Sequence, residues 1–339
     1  ECGCCLVPSA YEIAVDLFRT CLLQVDAVAM QAVTDAYAPI RTELRRKIAD
    51  LESVLPEART ASDLYKLQRY KSLIAQIDSD VTELAGAALN VTNDGQASLV
   101  SVAQDEVRAL TLAQVTGTGR AITDAGTFAW NQLNTDAMRD LVGRLSDGSP
   151  LRDYLDGLPN QWGKVISDEL VRGVTLGLHP RQISQLLEDR LDGQVARLLT
   201  TTRTAMLDSY RSASIRSMQA NADILDGWQW QAAHDSRTCL ACLALDGKMF
   251  PITESFMPSH PGCRCSPRPV VTGATPSKRQ TGAEWFASQP ESVQRQMLPN
   301  YAYDGYQSGK VKLIDFAHLD KDARWGDRYR VGSVKDKVA

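Results

Sequence analysis

Apolar positions recur at intervals of three and four along most of the chain before residue 225, and that period predicts helices. From Ala10 to Leu55 the repeat is clearest at Ile40, Leu44, Ile48, Leu51 and Leu55, and Pro56 ends it. The pattern restarts in "RTASDLYKLQRYKSLIAQIDSDVTEL", where Thr60 and Asp63 have the spacing of a capping box. Leu67, Tyr70, Ile74, Ile77, Val81 and Leu84 then alternate spacings of three and four, as in a coiled-coil seam. Two such segments around a proline turn predict an antiparallel helical hairpin, with a pair of bundle helices as the alternative.

Turn residues punctuate the rest. "NVTNDGQ" at 90–96 reads as a loop, followed by a helix through "LVSVAQDEVRALTLAQ". "TGTGR" at 116–120 has neither a preceding strand nor a Lys-Ser/Thr pair, so it is no phosphate-binding loop. The glycines and prolines of "SDGSPLRDYLDGLPNQWGK" at 146–164 suggest a hinge or domain boundary. Two short helices, "VISDELVRGVTLGLHP" and "RQISQLLEDRL", are expected on either side of Gly177 and Pro180, with His179 as a helix-end residue. A longer helix over "DGQVARLLTTTRTAMLDSYRSASIRSMQANAD" precedes "DGWQWQAA", whose alternation predicts a strand. The expected fold is mainly α (α+β): a long helical hairpin or bundle with a small metal-stapled β-hairpin unit near the C-terminal third. Four segments follow: a long-helix region at 1–150, a helical part at 151–225, a Cys/His β unit at 226–270 and a mildly basic segment at 271–339.

Composition narrows the function classes. No run of about 18 apolar residues is present, so no membrane span or membrane partner is expected. The opening "ECGCCLVPSAYEIAVDLF" lacks a basic n-region and an apolar h-region and does not read as a signal peptide. Net charge is −4, which argues against a protein coated in nucleic acid. From Arg264 onward, however, 13 Lys or Arg stand against 8 Asp or Glu. Lys310, Lys312, Lys321, Arg324, Arg328 and Arg330 are therefore candidate DNA contacts, against the plainer reading of a solvated mixed-charge face.

The eight cysteines form two groups: Cys2, Cys4, Cys5 and Cys21, then Cys239, Cys242, Cys263 and Cys265. The second group lies in "HDSRTCLACLALDGKMFPITESFMPSHPGCRCSPRPV", an island of turn residues in a helical chain. Cys239 and Cys242 are spaced so that both thiolates can turn onto one ion while knuckle N–H groups donate to sulfur. Seventeen residues later come His260, Cys263 and Cys265. Five soft or borderline ligands in two clusters fit tetrahedral zinc. The expected set is Cys239, Cys242, Cys263 and Cys265, with His260 able to replace either of the last two; disulfides or plain buried thiols are the alternative. Sulfur-rich coordination crowds negative charge on the metal and is typical of closed, structural sites. A hydrolase or nuclease using His234, Asp235 and His260 is the rival, and a DNA-binding module acting through the basic segment is a third reading. "LDGKMFP" predicts a hairpin turn with positive φ at Asp246-Gly247, and Asp235 is expected to pair with Arg237 or accept turn N–H groups.

These residues resemble a known family. Asp235, Arg237, Thr238, Cys239 and Cys242, then Leu245, Asp246, Gly247, Lys248 and Phe250, then His260, Pro261, Cys263, Arg264 and Cys265 look like the signature of phage head morphogenesis proteins. These are the minor head proteins related to protein F of phage Mu. The resemblance runs over roughly 160–339, through "TTRTAMLDSYRSAS", "TGAEWFASQPESVQRQML" and "ARWGDRYRVGSV". Leu240 stands where the family often has proline, and Ala205 where its helix usually has Glu. The resemblance implies a structural, non-enzymatic virion protein assembled in the host cytoplasm and placed in the head interior near the portal. Its implied partners are the portal protein, packaged DNA and the major capsid or scaffold proteins. Trp285, Phe286, Trp325 and Tyr329 are expected to pack the C-terminal segment onto the zinc unit.

Overall fold

The computed structural model describes residues 9–117, 130–258, 260–274, 280–321 and 328–338. Seven helices come first: α1 (Ala10–Glu52), α2 (Ala61–Lys66), α3 (Gln68–Gly117), α4 (Thr135–Arg139), α5 (Leu151–Asp156), α6 (Leu158–Thr175) and α7 (Pro180–Gln219). Strand β1 (Leu225–Gln231), helix α8 (Leu240–Leu245) and strands β2 (Met249–Pro251) and β3 (Ser266–Val271) follow. The chain then forms α9 (Gly282–Ala287), α10 (Glu291–Met297), α11 (Tyr303–Gln307), β4 (Ala317–Asp320), β5 (Arg328–Val331) and α12 (Lys335–Val338). This is the mainly α architecture with a small β unit near the C-terminal third that the pattern predicts. No helix among the described residues is long and apolar enough to cross a membrane.

Two compact units divide the chain. The helical unit comprises Gln24–Gln96 and Gly143–Met206. In it, α1 turns through a 3-10 segment at Leu55–Glu57, carrying Pro56, into the α2 cap, where Thr60 and Asp63 make the expected reciprocal capping bonds. The return through α3 is antiparallel: Arg69 reaches the Asp50 carbonyl at 3.0 Å, and Lys47 reaches Ser72 at 2.9 Å. Leu44, Ile48 and Leu51 meet Leu73, Ile77, Val81 and Leu84 in one core with Leu158, Trp162 and Ile166 of α6 and Leu187 and Leu191 of α7. The hairpin is thus half of a bundle. Leu67, Tyr70 and Ile74 of the expected seam are only partly buried, and Leu73 takes the core position. Leu67 is the reason: as the extended C-cap of α2 it breaks the helix and resets the phase.

Three turn expectations yield to helix. Residues 90–96 continue α3. Thr92 Oγ1 donates back to the Ala88 carbonyl at 2.6 Å, and the Gln96 amide donates to the carbonyls of Arg144 and Ala205 at 2.8 and 3.2 Å. Gly95 admits Met206, whose Cε would lie 2.5 Å from any Cβ there. Tertiary partners override the local turn preference. Likewise α7 runs unbroken through Asp192-Gly193, where Asp192 accepts from Arg41 of α1 at 2.5 and 2.9 Å. Of the hinge expected at 146–164, only the stretch to Pro150 is a turn, closed by Leu145 N–H to the Ser149 carbonyl at 2.9 Å, and α5 and α6 occupy the rest.

The cysteine unit comprises Glu1–Leu23, Ala97–Val142 and Leu207–Ala339. Its antiparallel sheet has the order β2-β1-β3, three strands where a hairpin is expected. Trp228 stacks on Phe250 and Trp230 on Phe256, both at 4.3 Å between ring centroids. Strand β3 carries Pro267 and Pro269, tolerable because it is an edge strand. That edge is covered by Gln114 of α3, which donates to the Pro269 carbonyl at 2.8 Å and accepts from Val271 N–H at 3.1 Å. Phe286 of α9 and Phe316 are fully buried in the same core, Trp285 packs against it, and Tyr329 of β5 meets Phe250 edge-on at 6.5 Å. The C-terminal segment therefore packs on the cysteine region as expected; Trp325 lies outside the described residues.

Candidate metal centre

The first knuckle is built by a short apolar helix. Leu240, Cys242, Leu243 and Leu245 of α8 are buried, and Cys239 caps it: its Sγ accepts the Cys242 N–H at 3.4 Å. This is the N–H to sulfur bond that the Cys-x-x-Cys spacing predicts. Gly247 ends the helix with φ +86, the left-handed conformation expected of it. The turn differs from expectation, however. It joins α8 to β2, not strand to strand, because β2 takes β1 as its partner.

The second cluster arrives on the segment leading into β3. Sulfurs of Cys242, Cys263 and Cys265 lie within 4.8 Å of one another, as do the ligand atoms of Cys239, Cys242 and His260. Cys242 belongs to both triads, so the two groups of expected ligands meet at its sulfur. Cys242 and Cys263 sulfurs are 3.6 Å apart, and Cys242, Cys263 and Cys265 are at most 3% exposed. The hydrogen bond from Cys242, with a further one from His260, lowers the Cys239 thiol to about 5. The same contact with Cys239 raises His260 to about 9. His260 Nδ1 lies 2.8 Å from the Pro261 carbonyl, leaving Nε2 as the ring's second polar atom. Clustered sulfurs, a knuckle N–H to sulfur and an imidazole anchored through one nitrogen fit a soft divalent ion such as zinc.

Side chains that the sequence left unassigned frame this cluster. Arg264 grips Asp235 in a bidentate pair at 2.6 and 2.7 Å, whereas Arg237 stands 3.6 Å from it. Asp235 also accepts the Arg237 N–H at 2.9 Å, the turn role expected of it. Burial acts to raise the Asp235 carboxyl, but Arg264 outweighs it and brings the group down to about 2. His234, in the left-handed region at φ 49, binds Asp246 at 2.7 Å and stacks on Trp285. Arg211 of α7, 3% exposed, donates from Nε to the Cys265 carbonyl at 2.9 Å and from Nη2 to the Cys263 carbonyl. Its only sequence signal is a basic residue on a face that is otherwise apolar or small: Leu207, Tyr210, Ser214, Met218.

Residues 164–268 match the sequence model of the Phage Mu protein F like family, a span that takes in most of α6, all of α7, β1, β2, the start of β3 and every candidate ligand. The match covers about a third of the chain and shows a similarity to that family over this segment. The Mu-like prophage FluMu F protein of Haemophilus influenzae is 36% identical over 132 residues, covering 36% of this chain and 28% of that protein. No solved structure matches.

The basic candidates lie beyond the Mu F-like segment. Lys310, Lys312 and Lys321 are exposed; Arg330 pairs with Asp320 at 3.2 Å, and Arg328 is half-buried in β5. Arg324, like Cys2, Cys4 and Cys5, lies outside the described residues, and Cys21 sits half-buried in α1.

Proposed function

We propose that this chain is a structural head morphogenesis protein of a tailed phage, held in the head interior near the portal, with the portal protein as its principal partner. The observation that carries this reading is the Mu F-like match at 164–268. In this reading one zinc ion staples the 226–270 unit, held by sulfurs of Cys239, Cys242, Cys263 and Cys265, with His260 as the alternative fourth ligand. Burial of three of the four cysteines supports a closed, structural ion, since a catalytic one keeps a position open to water. One group a hydrolase would draw on is engaged elsewhere: Asp235 by Arg264. Contact with packaged DNA falls to Lys310, Lys312 and Lys321, the exposed lysines among the basic candidates, with Asp315 beside Lys312. The 1–150 helices offer amphipathic faces for docking on other head components.

The test is the copy number of the chain per portal subunit, by quantitative mass spectrometry of purified full particles and empty precursor heads. A low, reproducible ratio in both supports the reading. Absence from both overturns it and brings the zinc-hydrolase alternative forward.

A further inference from the structure

Cys263 and Cys265 pose a geometric problem. Residues two apart share one face only in a regular strand; here they precede β3 in irregular backbone, with Arg264 between them. Their sulfurs nevertheless lie with that of Cys242 inside 4.8 Å. Two interactions outside the ligand set act on this short segment. Asp235 pins the Arg264 side chain at 2.6 and 2.7 Å. Arg211 gathers the two flanking carbonyls, Nε to Cys265 and Nη2 to Cys263, while its Nη1 donates to Asp208 at 2.8 Å. The guanidinium is itself fixed, 3% exposed and 5.2 Å from the Phe256 ring centroid. A planar fork that binds carbonyls two residues apart sets the backbone between them, and lysine, a point charge, has no equivalent geometry.

We propose that Arg211 is the positioning residue of the metal centre: by holding the carbonyls of Cys263 and Cys265 together, it closes the Cys-Arg-Cys segment into a two-sulfur chelate for zinc. This rests on the metal reading above. Arg211 touches no metal ligand atom in this role; it acts through the backbone of two ligands. It also ties the island to α7, the longest helix of the Mu F-like segment.

The experiment compares zinc affinity of the reduced full chain, by chelator competition, for wild type, Arg211→Met, Arg211→Lys, Cys263→Ser and Cys265→Ser. The cobalt(II)-substituted visible spectrum counts thiolate ligands in parallel. Arg211→Met is expected to weaken zinc about 10- to 100-fold, the range for loss of an outer-shell partner. Arg211→Lys recovers only a small part of that, and both variants lose thiolate charge-transfer intensity, which a purely structural arginine would leave unchanged. Wild-type affinity and spectrum in both Arg211 variants overturn the positioning role while leaving the metal reading intact. A wild-type chain that takes up no zinc overturns both. If Arg211→Met does not fold, the serine pair decides: the chelate requires Cys265→Ser to weaken zinc as Cys263→Ser does, and unchanged affinity in Cys265→Ser overturns it.

Discussion

The helical unit buries Leu44, Leu73, Trp162 and Leu187 along α6 and its shares of the long helices α1, α3 and α7, and its largest buried side chains are apolar. The cysteine unit buries Cys242, Cys263, Cys265, Arg211, Arg268 and Glu106 among its aromatics, on elements as short as the six-residue α8 and the three-residue β2. Length explains the contrast. A long amphipathic helix gathers many small apolar contributions along one face and needs no special contact. A six-residue helix cannot hold itself in water and closes too little surface, so a short-element region depends on a few strong cross-links. The expectation is that damage in the first unit is graded and local, and damage in the second is all-or-none.

On the zinc reading, metal removal gives the largest effect and would break the comparison most directly. Chelation under reducing conditions, or Cys242→Ser, should destabilise the cysteine unit by up to about 10 kcal/mol, on the scale of structural zinc sites. Near-UV circular dichroism reads it, because Trp228 and Trp230 sit in that core, while far-UV helicity from α1 and α3 persists. A near-UV spectrum indifferent to chelator would put both units on the same footing. Trp162→Ala sharpens the other side. It removes a side chain 1% exposed that meets Tyr37 edge-on at 6.3 Å, and is expected to cost about 3–5 kcal/mol by urea unfolding, equally with and without chelator.

The same contrast decides what could be read in advance. In the helical unit the period, the Pro56 turn and the Thr60 cap were all legible, because they follow from local chemistry. What misled there was turn composition at 90–96 and 192–193, where the partners that keep the chain helical, Met206 and Arg41, are more than a hundred residues away. In the cysteine unit the grouping of the candidate ligands was legible from spacing. Their supports were not: Arg211 for Cys263 and Cys265, Arg264 for Asp235, Asp246 for His234. Each is a polar contact between elements, and periodicity carries no record of which polar groups meet.

Glu106 of α3 extends the contrast to pH. It is 3% exposed, accepts a hydrogen bond from Tyr210, and burial pushes its carboxyl from 4.5 up to about 7, with Arg268 opposing. The folded chain then keeps a proton that the unfolded chain releases between about pH 4.5 and 7. Its contribution is whole below pH 4.5 and is lost as pH rises through 7. Glu106→Gln keeps an acceptor for Tyr210 and has no charge to bury. It is expected to gain up to about 3 kcal/mol over wild type at pH 8 and nothing at pH 4.5. Denaturant titrations at the two pH values check this, and a gap that does not change with pH would mean Glu106 titrates normally.

The smallest effect belongs to the helical unit and tests whether its stability is as distributed as its core implies. Thr60 accepts the Asp63 N–H at 3.2 Å, and Asp63 accepts the Thr60 N–H at 3.0 Å, at the start of a six-residue α2 that buries only Leu64 fully. Thr60→Ala removes one arm of this exposed box and is expected to cost about 1 kcal/mol. If the turn between α1 and α3 instead governs how the two long helices register, the loss would reach that of Trp162→Ala. The helical unit would then depend, like its neighbour, on a single local fastening. The distributed core of Ile48, Leu51, Leu73 and Ile77 around that turn argues for the smaller figure, since these contacts fix the register without the cap.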